Sequence, residues 1–329
     1  VLCFGALKRR MILRKIQCKG TAKQAVFSRR KKLLAMKIRE SELILNKDGS
    51  VYHLNLLPEQ IAPLIITVGD QDRVAKVSRH FDRIEHRVRK REFVTHTGWL
   101  GKQRLSVISS GIGPDNIDIV VNELDALFNI DFQTRQPKPS PTPLTLIRLG
   151  TAGGLQAEIP VDGLVTSTGG IGLDGLLQFY AALDQQQHPV TNALRAHFGD
   201  SWSFPLAPYF APADPALIGQ FSDEFYQGFT ATNPGFYGPQ GRQLRAPVRL
   251  PGYLDLLQQF SFDNTRILNL EMETAAMFGL CRLLGHRAIS LSAVIANRPL
   301  GQFSKDTGKA VERLIVTALE RIAGVFVTL

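Results

Sequence analysis

Short apolar runs and amphipathic stretches take turns along most of this chain. Leu64–Val68 reads as a buried strand closed by Gly69 and Asp70, and a helical pattern follows from about Asp72 to His80. Arg104–Ile112 repeats the arrangement, with a strand running into Ser110, Gly111, Ile112, Gly113 and Pro114. The helix after it carries Ile117, Val120, Val121, Leu124, Leu127 and Phe128 at three-and-four spacing, which makes one apolar face. Further strands are expected at Leu146–Leu149, Leu164–Ser167, Arg266–Leu270 and Ala288–Ala296, and helices at Thr274–Leu284 and Lys305–Val325. Two stretches break the rhythm. Gln133–Thr145, rich in proline and polar residues, reads as an exposed loop; Asp184–Gln220, with prolines and aromatics but no clean period, reads as an insertion over the active face. There is no internal repeat. The alternation predicts a single α/β domain: a central twisted sheet, mixed or mostly parallel, flanked by helices.

Charge changes the picture only at one end. The chain holds 39 Lys+Arg against 29 Asp+Glu, a balance that suggests nucleic acid or an anionic membrane as partner. Residues 1–36 carry eleven of those bases and no acid, so 28 bases face 29 acids in the remainder. Residues 37–329 are therefore nearly neutral, and neither nucleic acid nor membrane is expected as their partner. The basic segment 1–36 reads as a translated leader with Met36 as the true start; an Arg-rich organelle transit peptide is the alternative. Its apolar runs are too interrupted for a signal peptide or a membrane span. Of three cysteines only Cys281 lies beyond the leader, on an apolar helix, which points to an inert thiol in a reducing, cytoplasmic setting. Seven scattered histidines offer no metal-ligand spacing.

The chemistry-bearing residues gather where strands end. Glu271, Met272 and Glu273 lie between an expected strand and an expected helix, facing the crevice where α/β sheets bind ligands. Ionised carboxylates there suit vicinal hydroxyls, and a methionine packs softly under a sugar ring. The bland alternative is that two acids simply begin a helix. Gly69–Arg73 and Arg148–Gly154 each set an arginine beside glycine-exposed backbone, a combination that recognises phosphate geometry. Dinucleotide and P-loop spacings are absent, so the expected anion is small, free phosphate.

These segments together resemble the nucleoside phosphorylase family, uridine phosphorylase type, from about Val51 to the C-terminus. The resemblance rests on VYHL at 51–54, VGDQDRV at 68–74, REF at 91–93, SGIG at 110–113, RLGTAG at 148–153, YGPQGR at 237–242, EME at 271–273 and VIANR at 294–298. It implies phosphate binding by Gly69, Arg73, Arg148 and Thr151, joined by Arg91 from a neighbouring subunit. It implies ribose binding by Glu271, Met272 and Glu273, with Glu273 on the 2′- and 3′-hydroxyls and His53 reaching across the interface to the 5′-hydroxyl. Gln240 and Arg242 would hold the pyrimidine carbonyls and ring N–H, with Phe236 stacked near the base and Arg298 supporting that end. Related purine enzymes carry an acid after a serine where this chain has Ala296, Asn297 and Arg298, because protonation at N7 helps a purine leave. A neutral amide and a cation suit the anion of a departing pyrimidine instead. Ala152, the Pro114-Asp115-Asn116 run and the two insertions depart from the family pattern.

The expected activity is reversible phosphorolysis of a pyrimidine nucleoside, uridine first, with thymidine and deoxyuridine open. Inorganic phosphate is the co-substrate and no organic cofactor is implied; a monovalent cation such as K+ near Glu92 is implied by resemblance alone. The family also implies a homo-oligomer, a hexamer built from dimers that share active sites. Three readings compete: a purine nucleoside phosphorylase of the same fold, a nucleosidase that uses water, and a nucleic-acid-binding protein acting through residues 1–36.

Overall fold

A computed structural model describes residues 37–181, 187–202, 204 and 206–325; the expected leader lies outside the described residues. Strand β1 (Leu64–Val68) is buried at every position, and helix α1 (Gln71–Ser78) starts where the Asp70 carboxylate accepts the Asp72 N–H at 3.0 Å. An antiparallel meander follows, β2 (Arg83–Lys90), β3 (Phe93–Leu100) and β4 (Gln103–Ser109), of which only β4 was expected. Helix α2 (Pro114–Asn129) turns its apolar stripe onto the core. The expected loop at Gln133–Thr145 contains part of a small ladder, β5 (Ile130–Asp131) with β6 (Gln136–Pro137).

Strand β7 (Thr145–Gly154) runs ten residues, so the glycine-rich stretch after Arg148 is strand and not the turn its composition suggests. Next come β8 (Leu164–Gly172), α3 (Pro189–Phe198), β9 (Tyr209–Pro212), α4 (Pro215–Gln220) and β10 (Tyr226–Thr232). The chain continues through α5 (Tyr253–Gln259), β11 (Ser261–Phe262), β12 (Thr265–Glu271), α6 (Thr274–Leu284), β13 (Arg287–Asn297), β14 (Gln302–Phe303) and α7 (Thr307–Val325). Asp184–Gln220 is thus partly regular: β9 pairs with β8, while Val190, Leu194 and Phe198 of α3 join Phe210 and Tyr253 in a second core cluster.

All the strands but β5 and β6 form one mixed sheet, in the order β11-β12-β10-β8-β13-β7-β1-β4-β3-β2, with β9 added on β8 and β14 on β13. β12 also pairs antiparallel with β7, at Asn269 with Gly154 and Leu270 with Gly153, so β7, β13, β8, β10 and β12 close a five-stranded ring. That closure brings the carboxyl end of β12 beside Arg148. Helix α6 is buried on every side from Thr274 to Cys281, as its continuous apolar run requires. Its thiol is buried, and that burial first, then Asp125, raises the Cys281 pKa far above the usual thiol range. No helix among the described residues is long and apolar enough to cross a membrane.

The start of α6 presses directly on β8. A Cβ at Gly170 would lie 2.6 Å from the Ala275 Cα and 2.9 Å from its nitrogen, against backbone that cannot rotate away. Gly170→Ala is expected to cost about 1–3 kcal/mol of stability in urea unfolding, as overpacking in a closed core does.

Candidate active site

The carboxyl end of β12, the second half of β7 and the turns after β1 and β4 surround a cleft of about 860 Å³. At its floor lies a buried ion cluster. Arg148 projects from β7 and folds back over Gly150, where a Cβ would meet its Nη1 at 1.9 Å. Its Nη2 lies 3.1 Å from Glu271 Oε2 and donates to Glu273 Oε2. Its Nη1 is buried without a hydrogen-bond partner among the described residues. Burial works against the Arg148 charge, yet the two carboxylates hold its pKa above the usual arginine range. Burial foremost, with Glu271 adding to it, raises Glu273 above the ordinary carboxyl value despite the pull of Arg148.

The two acids are held differently. Glu271 accepts from Thr232 Oγ1 at 2.7 Å and from the backbone N–H groups of Glu273 and Thr274, in addition to its contact with Arg148. A carboxylate has about four lone-pair sites, so little capacity remains for the sugar role the sequence suggested. Glu273 is more available. Beyond Arg148 it accepts one N–H, from Gly113 at 2.8 Å, where φ of +103° turns that amide toward it.

Arg73, from α1, donates through Nη1 to the Leu149 carbonyl at 3.1 Å. Burial and then the neighbouring Arg148 push its pKa below the usual range. A half-buried and a buried guanidinium that repel each other, with Arg148 Nη1 left unsatisfied, make a site that an oxyanion completes. Gly69 and Thr151 line the same end of the chain's own cleft.

The other end is a loop. Arg242 Nη1 donates to Gln240 Oε1 and to the Phe236 carbonyl, both at 2.7 Å, and its guanidinium carbon sits 3.8 Å over the Phe236 ring. Burial, then Arg298, pushes the Arg242 pKa down to about 10. Arg298 itself is not in the cleft lining; its Nη1 bonds the Gln240 carbonyl at 3.1 Å and ties the loop down from behind.

His53 and Arg91 also stay out of the cleft lining, and they share a neighbour. His53 packs edge-on against Tyr52 with Nδ1 2.6 Å from Glu123, and the Arg91 guanidinium lies 5.8 Å from the same Tyr52 ring. Glu92 lines the cleft, but no group of three His, Cys, Asp or Glu side chains suited to a metal occurs among the described residues. None of the described residues of Asp184–Gln220 lines the cleft; they pack in the two core clusters instead of over the site as expected. Sequence reasoning missed Gln71, Asn116, Ile295 and Phe303 in the lining. Phe303 is 65% exposed on β14 opposite Ala296, and nothing in its local sequence marks it.

The profile of the Phosphorylase superfamily matches residues 63–328. The chain belongs to that superfamily. Among its relatives it is 28% identical over 280 residues to the uridine phosphorylase of Thermococcus kodakarensis, covering 84% of this chain and 88% of that one. To the uridine phosphorylase of Escherichia coli it is 27% identical over 288 residues, covering 83% and 98%. Its fold superposes with a TM-score of 0.78 and 28% identity on a Trypanosoma brucei nucleoside phosphorylase that shows uridine phosphorylase activity, over 86% of this chain and all of the other. In this member of the superfamily the Arg148 seat should be intolerant of any side chain at position 150. Gly150→Ala is expected to weaken binding of inorganic phosphate, measured by calorimetry, by about tenfold or more, because a charge-assisted hydrogen bond is misaligned.

Proposed function

We propose that this protein is a pentosyltransferase that carries out reversible phosphorolysis of a pyrimidine nucleoside, uridine first, releasing the base and ribose 1-phosphate. The observation that carries the reading is one cleft lined by two mutually repelling arginines, Arg148 buried and Arg73 half-buried, and by the linked Gln240–Arg242 pair. Arg73, Arg148, Gly69 and Thr151 hold phosphate; Met272 and Glu273 hold the ribose between the two ends. As the glycosidic bond lengthens, charge grows positive at the anomeric carbon and negative on the pyrimidine carbonyls. The bound phosphate dianion stabilises and captures the first, and Arg242 with Gln240 receives the second. The lack of an acid at Ala296, Asn297 or Arg298 favours a pyrimidine over a purine.

In this reading Arg91 and His53 serve the partner subunit's site, which makes the working unit at least a dimer within a hexamer. Their pairing around Tyr52, outside the cleft of their own chain, supports that assignment. A monovalent cation near Glu92 and a cytoplasmic setting belong to the same proposal, and no organic cofactor takes part.

Base release should require phosphate, with uridine turned over and inosine and adenosine spared, when nucleosides are assayed with and without phosphate. Phosphate-independent release would instead identify a nucleosidase. Arg242→Ala should lower turnover of uridine by about 10²-fold or more while phosphate affinity is retained, as loss of one preorganised donor does. A second test addresses sharing. Arg91→Ala and Arg148→Ala chains should each be nearly inactive, and co-expression should restore activity, because a mixed dimer contains one intact site. Failure of the mixture to recover, with both variants folded and assembled, would place Arg91 outside a shared site.

A further inference from the structure

We infer that Glu271 is a positioning residue and not a ribose ligand, and that the hydroxyl of Thr232, a residue outside the cleft lining, fixes it there. Thr232 ends β10 directly beside Glu271 in the parallel register with β12, and it is fully buried. Its Oγ1 donates to Glu271 Oε1 at 2.7 Å and accepts the Ala275 N–H at 2.9 Å. One hydroxyl therefore joins the end of a strand, the counter-charge of Arg148 and the first turn of α6.

The two acids that share Arg148 consequently have separate duties. Both acids line the cleft, but Glu273 is held by a single backbone N–H besides Arg148 and so keeps acceptor capacity for sugar hydroxyls. When it turns, Arg148 loses that partner while its Nη1 and Nη2 face the incoming anion. Glu271, bonded on both oxygens, stays in place and keeps the guanidinium from swinging out of register. A buried arginine without a fixed counter-charge would adopt several poses, and only one of them serves phosphate. The conformation of Arg148 is thus set through one intervening residue, by a threonine.

This inference rests on the phosphorolysis reading. Its test is steady-state phosphorolysis of uridine with phosphate and nucleoside varied separately, alongside a thermal midpoint for every variant. Thr232→Val should raise the phosphate KM by about tenfold or more, with the nucleoside KM within about twofold of wild type, and Thr232→Ser should restore the phosphate KM. Glu271→Gln, which keeps the shape but removes the charge, should show the same split. A folded Thr232→Val with unchanged phosphate KM overturns the role of Thr232. If Thr232→Val does not fold, Glu271→Gln decides: a rise confined to the nucleoside KM makes Glu271 a ribose ligand and overturns the inference. Wild-type enzyme without phosphate-dependent base release overturns the phosphorolysis reading before any variant is made.

Discussion

A guanidinium buried beside two carboxylates is the constraint around which this protein is arranged. Removing such ions from water costs several kcal/mol each unless charge and hydrogen bonding are both supplied inside. Arg148, Glu271 and Glu273 meet that demand only because β12 pairs back onto β7, the two strands meeting at their carboxyl ends. Closure of the five-stranded ring is thus the geometric condition for the charge cluster. The same demand accounts for Gly150 under the guanidinium, for the left-handed Gly113 that turns its N–H to Glu273, and for the Thr232 hydroxyl against Glu271.

The cluster also explains how one cleft handles opposite charges. Phosphate needs cations, whereas ribose hydroxyls need acceptors, and the two must lie within a sugar's width of each other. Free arginines and free carboxylates at that distance would simply neutralise one another. Here the balance is uneven: Arg148 has a donor left over, Arg73 is disfavoured first by burial and then by its neighbour's like charge, and Glu271 is already saturated. An anion and a polyol can therefore both find partners.

Much of this was legible in the chain, for reasons tied to particular segments. Leu64–Val68 and Thr274–Leu284 are read to the residue because burial on all sides leaves continuous apolar runs. Most of the expected site residues line the cleft, since strand ends that carry charge announce themselves. Strand β2 was not legible: as a sheet edge it alternates half-buried with exposed charged positions, so no apolar run forms. β10 is small and polar at Gly228, Thr230 and Thr232, where tight packing replaces hydrophobic bulk. Gly150, Gly153 and Gly154 looked like a turn, yet none has a positive φ; they make room for the Arg148, Arg298 and Val294 side chains beside an ordinary strand. Pairing of β12 with β7 joins distant parts of the chain, and local pattern carries no trace of it. The Asp184–Gln220 insertion had no clean period because its elements divide between two cores, α3 packing in the second cluster while Tyr209, Ala211 and Leu217 join the main one.

Arg298 holds the Gln240 loop by a single carbonyl, while the arginines at the opposite end are embedded in strand, helix and ion cluster. The two halves of the cleft therefore differ in how freely they can diverge. Changes at Arg148 disturb folding as well as the cleft, whereas the exposed Phe236 and Tyr237 of the 233–242 loop can be exchanged at less cost to the rest. A scaffold built this way preserves its chemistry as inheritance and leaves its choice of nucleobase open to drift, or to a designer.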